Sequence, residues 1–77
     1  NRKCALTGQE LKFDSINRST KNKTASLDRI DNKKGYEIEN IQWVHKDINW
    51  MKGQFDSDRF IELCKLVSEN QRKKHVN

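Results

Sequence analysis

Three polar residues in the middle of the chain have the types and the spacing of a site for a divalent cation. Asp28 follows a short alternating stretch, Asn40 comes twelve residues later, and Asn49 follows after nine more. Carboxylate and amide oxygens bind Mg²⁺ and Mn²⁺, and a further amide can orient the group that activates water. A cation held beside basic side chains is what hydrolysis of a nucleic-acid phosphodiester bond requires. The segment therefore predicts chemistry on phosphate esters.

Two short strands and a turn are predicted to position the first two of these residues. Residues 25–30 alternate between apolar and polar side chains, which predicts a strand that carries the acid. Residues 38–44 are expected to return as a second strand that is interrupted at Asn40. Trp43 belongs to this second pattern, and we expect it to be buried. Gly35 lies in the intervening turn, where it is free to take a positive φ.

Two helices are predicted after the strands. The apolar spacing becomes helical in the first, which carries Asn49 on another face and is expected to end at Gly53. The second is predicted from Asp56 or Ser57, either of which can cap it, to about residue 72. Its apolar stripe, which we expect to be buried in the core, consists of Phe60, Leu63, Cys64 and Val67.

The cysteines bear on zinc binding and on redox state. The segment CALTG looks like half of a zinc knuckle whose second thiol has become Thr7, and residues 4–13 suggest a short hairpin of this kind. A structural zinc ion needs four ligands, and the two cysteines and two histidines lie far apart in the sequence, so we expect no structural zinc. We expect Cys4 and Cys64 to be buried, unlinked thiols in a reducing cytoplasm.

Size and charge limit the possible classes of protein. The 77 residues are 32% hydrophobic and 35% charged, which predicts one small domain with a small core. The chain begins at Asn1 rather than Met, which is compatible with a piece of a longer protein. A net charge of +5 is ordinary for a well-solvated surface, and it favours a nucleic-acid partner only beside a metal-competent motif. No apolar run is long enough to span a membrane, and we expect no membrane partner.

The order Asp28-Arg29, Asn40 and Asn49 in a strand–strand–helix frame resembles the HNH endonucleases, also called ββα-metal or His-Me finger nucleases. The segment LDRIDNKKGY…NIQWVHKDIN.MK looks like the corresponding sequence in the HNH nucleases of bacteria and their phages, including free-standing homing endonucleases. The similarity covers residues 4 to about 52, and its central part is specific because spacing, turn glycine and knuckle remnant occur together.

The resemblance implies an α+β fold with a single HNH nuclease domain over residues 1–77. Its ββα-metal core would lie at about 25–53, with a zinc-knuckle-like hairpin at 4–13 and a C-terminal helix at 56–72. The implied function is a divalent-metal-dependent endonuclease that hydrolyses DNA phosphodiester bonds with one Mg²⁺ or Mn²⁺ ion. DNA contacts would be mainly to the backbone, in the cytoplasm of a bacterium or a phage-infected host cell, with specificity from a partner domain or a second copy.

The resemblance also implies roles for single residues. Asp28 and Asn49 match the two protein ligands of the metal, and Asn40 matches the residue that holds the loop and orients the catalytic base. Arg29 stands where the family has the histidine that activates water, and a guanidinium cannot accept a proton at neutral pH. Arg29 can instead grip a phosphate oxygen and stabilise charge in the transition state.

Other residues are weaker candidates for the site. His45 is a candidate for the missing base because we expect it one helical turn before Asn49, the alternative being a surface histidine at a helix start. Tyr36 is a weaker candidate base. A group of lysines is expected to flank the site and to contact DNA phosphates, namely Lys33, Lys34, Lys46 and Lys52.

Two functions from other classes remain open. Loss of the histidine at Arg29 would leave a DNA-binding module that keeps the fold but is catalytically weak or inactive. A small basic protein-interaction domain, in which the motif is coincidental, is the third possibility.

Overall fold

The computed structural model describes residues 2–13 and 23–74, which form a small α+β arrangement. The elements in chain order are β1 (Ala25–Arg29), a 3-10 turn (Ile38–Asn40), β2 (Ile41–His45), α1 (Lys46–Lys52) and α2 (Ser57–Lys74). This confirms the predicted α+β class and the order strand, strand, helix, helix. Most of the polar stretch at residues 14–23, predicted to be a loop, lies outside the described residues.

In the described part of the chain, β1 and β2 form a two-stranded antiparallel sheet. Asp28 pairs with Gln42, and Ser26 pairs with Val44. Because side chains alternate along a strand, these four point to one face of the sheet, and Arg29 points to the other. α1 contacts both strands. α1 therefore covers the face of the sheet that carries Asp28.

The core lies where the N-terminal segment meets the sheet. The amide of Ala5 donates to the carbonyl of Trp43 at 2.9 Å, and Lys3 pairs with Glu10 in an isolated bridge, so residues 3–10 fold back on themselves against β2. The buried cluster that results, including the apolar residues packed on it, comprises Cys4, Leu6, Leu11, Phe13, Ala25 and Val44. This segment is the hairpin expected from the knuckle-like sequence.

Two predictions of burial are wrong. Trp43 is 43% exposed, because it points to the sheet face away from Asp28, which is only partly covered by the edge-on ring of Phe13 at a centroid distance of 5.0 Å. On α2 only the first position of the predicted stripe, Phe60, is buried, and Cys64 and Val67 are exposed. Eighteen residues of helix extend about 27 Å, which is more than five-residue strands can cover.

The ends of the elements also differ in detail from expectation. Gly35 does not take a positive φ, and earlier in the same turn the Asp31 side chain accepts from the amide of Lys33 at 2.9 Å. Gly53 does take a positive φ, of 54°, and its amide donates to the carbonyl of Asn49 at the end of α1. Both cysteines are unlinked as expected, but only one of them is buried. Within the described ranges, no helix is long and apolar enough to cross a membrane.

Candidate functional site

α1 lies on the face of the sheet that carries Asp28. Asn49 and Lys52 are three residues apart and therefore share one side of this helix. The Nδ2 of Asn49 donates to the Oγ of Ser26 at 2.7 Å, and the Nζ of Lys52 donates to Oδ1 of Asp28 at 3.1 Å. The fold thus brings the two expected metal ligands to the same face, and it places Lys52 between helix and strand beside them.

The carboxylate of Asp28 is engaged at both oxygens. Oδ1 accepts from Lys52, which is 0% exposed and also donates to the carbonyl of Arg29 at 2.7 Å. Oδ2 accepts from Nε2 of Gln42 at 2.9 Å, and the same nitrogen lies 3.2 Å from Oγ of Ser57 at the start of α2. Asp28 itself is only 4% exposed. A buried ion pair of this kind persists only where such hydrogen bonds satisfy both charged groups.

This donor set does not fit Mg²⁺ or Mn²⁺ in the arrangement described. The charge of Asp28 is already balanced by the ammonium of Lys52, and a divalent cation at Oδ1 would meet that ammonium at close range. Asn49 adds one neutral amide oxygen. Among residues 2–13 and 23–74, no group of three or more His, Cys, Asp and Glu side chains lies together to hold a metal ion. A cation can bind Asp28 and Asn49 together only if Lys52 leaves.

Asn40 closes the loop between the strands. Its side chain is buried, and its Oδ1 accepts from the amide of Asp31 at 2.9 Å. Its Nδ2 donates to the carbonyls of Asp31 and Gly35, at 3.0 and 2.8 Å. The backbone carbonyl of Asn40 also accepts from the amide of Ile30 at 2.8 Å. One side chain therefore fixes both ends of the turn, which is the loop-holding part of the role implied for Asn40.

Arg29 lies on the opposite face of the sheet from Asp28 and packs on the same loop. Its Nη1 donates to the carbonyl of Lys34 at 3.1 Å, and its guanidinium carbon lies 5.2 Å from the centroid of the Tyr36 ring. This bond uses one of the five N–H donors of a guanidinium. Tyr36 is exposed, and its described contact is with the guanidinium of Arg29. Arg29 is thus held at the edge of a basic loop rather than beside the acid.

His45 is not brought to Asp28. It is the last residue of β2, opposite Ala25, and alternation places it on the face that carries Arg29. The expectation that it precedes Asn49 by one helical turn is wrong, because α1 begins at the next residue and His45 is its N-cap. Its backbone is extended, and its Nδ1 accepts from the amide of Asp47 at 3.1 Å. The His45 side chain thus makes a capping contact with α1, which agrees with the alternative of a histidine at a helix start.

The lysines expected to contact DNA divide into two sets. Lys33 and Lys34 are exposed on the loop held by Asn40, and Lys46 is exposed at the start of α1. Lys52 is fully buried on Asp28, so it cannot reach a phosphate in this arrangement. Helical spacing indicates only that Lys52 shares a helix face with Asn49, and it does not indicate that this face meets Asp28.

Two further members of the buried network were missed from the sequence. Gln42 lies directly opposite Asp28 in the strand register, and Ser57 reaches the same amide from α2. An alternating pattern indicates that position 42 faces the same side as the acid only once the register is known. The contact with Ser57 depends on how α2 returns to the sheet, for which the sequence has no local signal.

The Cys4 thiol is an acceptor within the core. Burial by itself raises the pKa of a thiol, but hydrogen bonds outweigh this effect and lower the pKa of Cys4 below its ordinary value. The backbone amides of Thr7 and His45 donate to its Sγ at 3.3 and 3.2 Å. The knuckle-like turn at residues 4–8 is closed by the amide of Gly8, which donates to the carbonyl of Cys4 at 2.9 Å. Cys4 therefore ties the N-terminal segment to the end of β2.

Comparison of the chain with protein-family models, with curated proteins and with solved structures gives no match.

Proposed function

We propose that this chain is a DNA-binding module with a nuclease-like strand–strand–helix frame, which binds the phosphate backbone without cutting it. The observation that supports this choice is the buried ion pair between Lys52 and Asp28. It occupies the one acidic residue to which the resemblance gives a metal. The ion pair occupies the cation ligand, and Arg29 stands in the position of the base. Hydrolysis would therefore lack both a free metal ligand and a proton acceptor.

The basic loop at residues 31–36 supports the binding part of the proposal. Lys33 and Lys34 are exposed on it, and the half-buried Arg29 packs against its backbone. Asn40 already fixes this loop, so little conformational entropy is lost when a phosphate binds there. Contacts of this type position a protein on DNA and carry no sequence information. The chain's net charge of +5 has the sign that such binding needs.

A second candidate, a divalent-metal-dependent endonuclease, is favoured by one specific observation. Asp28 and Asn49 lie on the same face of the sheet, each held by a hydrogen bond within the frame. That is the pair to which the resemblance assigns an Mg²⁺ or Mn²⁺ ion. This candidate requires the ammonium of Lys52 to leave Asp28 when the cation binds, and the two candidates can be separated by experiment.

The loop lysines are expected to supply salt-dependent affinity. Replacing Lys33 and Lys34 together with alanine should weaken binding to a fluorescent DNA duplex and lower the salt slope by about 2, since each phosphate contact contributes about 1. Lys3→Ala with Lys12→Ala is the matched control, because these exposed lysines of the N-terminal segment carry the same charge. Fluorescence anisotropy across a salt series measures both. Equal losses in the two double variants would refute the loop as the binding surface.

Plasmid DNA is expected to stay uncut by the wild-type chain in Mg²⁺ or Mn²⁺, as it does in EDTA. The assay includes Asn49→Ala, which removes the second expected ligand and leaves the ion pair between Lys52 and Asp28 in place. Metal-dependent nicking by the wild type that disappears in Asn49→Ala would overturn the proposal and establish the nuclease. Nicking that Asn49→Ala retains would point to a contaminating enzyme, which an independently purified sample would lack.

A further inference from the structure

An apolar groove lies between the end of α1 and the middle of α2. Its volume is about 330 Å³, and its lining is almost entirely apolar. Most of this lining is open to solvent: Val67 is 62% exposed, and Met51 and Phe55 are also exposed. The residues that line it include Met51, Phe55, Phe60, Leu63, Cys64 and Val67. An apolar surface of this kind on a small, highly charged chain indicates an interaction surface.

The side of α2 that carries the groove has opposite charges at its two ends. Residues 56 and 74 are separated by five helical turns and therefore lie on the same side as the apolar residues. Asp56 stands immediately before the helix and is half-buried, with its Oδ1 accepting from the amide of Asn32 at 2.9 Å, and Lys74 is exposed in the last turn of α2. Between them this side carries the apolar stripe, Asn70 and Gln71. The order acid, apolar, base is self-complementary when two such helices run antiparallel.

We propose that a second copy of this chain covers the groove, with the two α2 helices packed antiparallel about a two-fold axis. Pairing of the stripes places the axis near Cys64 and brings Asp56 of each copy towards Lys74 of the other. The opposed helix dipoles add to the preference for this direction. The contact is isologous, so it closes at two copies and does not propagate into a filament.

Two copies would present two basic loops to one DNA molecule. When both loops engage, the second contact forms at the high effective concentration set by the dimer. The dimer does not depend on DNA binding, however, because the residues that line the groove lie between positions 51 and 68, whereas the lysines expected to contact phosphate lie on the loop at residues 31–36. The proposed function and the dimer can therefore fail separately.

Sedimentation equilibrium of the full chain tests the dimer. We expect a monomer–dimer equilibrium in the wild type, and Val67→Glu should lower the association constant roughly tenfold or more, because a charge is then desolvated in an apolar contact. Ile61→Glu is the matched control: Ile61 is 50% exposed on the same helix but lies outside the groove, so association should persist. Circular dichroism checks that both variants remain helical.

Charge reversal tests the direction of the helices. Lys74→Glu should weaken association, because the new carboxylate faces Asp56 of the other copy, and Lys65→Glu, on the opposite side of α2, is the control that should leave association unchanged. In a parallel arrangement Lys74 would face Lys74 of the other copy, and its reversal would only exchange one like-charge repulsion for another. A wild-type chain that stays monomeric at every concentration, or a dimer that Val67→Glu leaves intact, would overturn the proposal. The first of these results would assign the groove to another segment or to a different protein.

Discussion

Lys52→Met is expected to lose about 3–5 kcal/mol of unfolding free energy, because it leaves the buried Asp28 carboxylate without its counter-charge. That is a large share of the stability of a small domain, which is typically about 5–15 kcal/mol. The methionine fills a similar volume, so the loss reports the charge rather than a cavity. Urea denaturation followed by circular dichroism measures it. Lys46→Met is the control, since Lys46 is exposed on the same helix, and it should change stability by less than about 0.5 kcal/mol.

Removing both charges should reverse most of this loss. In the double variant Asp28→Asn with Lys52→Met, no unpaired charge remains buried, and replacement of whole buried ion pairs is often neutral or stabilising. A double-mutant cycle then gives the coupling between the two residues. If Lys52→Met costs no more than Lys46→Met, the ion pair does not exist in solution. The main argument against a cation at Asp28 would then be lost.

Asn40→Ala is expected to destabilise the domain by about 2–3 kcal/mol and to weaken DNA binding. Three hydrogen bonds hold the loop through this side chain, and their partners are the amide of Asp31 and the carbonyls of Asp31 and Gly35. Each partially buried group that loses its partner costs about 1–3 kcal/mol, less where water can reach it. The binding loss follows because Lys33 and Lys34 would have to be ordered on contact with DNA.

Asn40→Asp separates the contribution of the accepting oxygen of the amide from that of its donating nitrogen. An aspartate can still accept from the amide of Asp31, but its second oxygen would face the carbonyls of Asp31 and Gly35 with no proton to donate. We therefore expect it to be at least as destabilising as alanine. Glu39→Ala, an exposed neighbour in the same 3-10 turn, is the control and should have little effect. A stable Asn40→Asp domain would show that the two donated bonds contribute nothing.

The parts of the fold that were predictable are those set by local chemistry. Residues 25–30 alternate, and the strand they form, β1, ends within one residue of the expected position. Ser57 was named as a possible start of α2, and the helix begins there. The loop-holding role of Asn40 came from the family resemblance, whereas the residue pattern indicated only that Asn40 interrupts the second strand, and residues 38–40 in fact form a 3-10 turn.

The sequence could not indicate which element packs on which face of a helix or of the sheet. The spacing of Phe60, Cys64 and Val67 correctly indicates one side of a helix, but whether that side is buried depends on the size of the element opposite. The same limit applies to His45, whose position relative to Asp28 changes with a shift of one residue in the helix start. Lys52 is the clearest example, because its partner Asp28 lies 24 residues away in sequence. Periodicity contains no information about such a pairing.

The N-terminal segment joins the rest of the domain through bonds of longer sequence separation than those of the Asn40 loop, which are 12 and 13 residues from Lys12 to Thr24 and Ala25 and 41 residues from Cys4 to His45. The amide of His45 meets the Sγ of Cys4 across 41 residues, whereas Asn40 closes its loop across nine or fewer. Loops that close over longer distances lose more entropy, so the short loop should form early in folding and the N-terminal segment should dock late. In the native state the N-terminal segment, which docks last during folding, is the part expected to open first. The sheet would then expose Val44 while the loop that carries Lys33 keeps its shape, so transient opening threatens aggregation before it disturbs the basic loop.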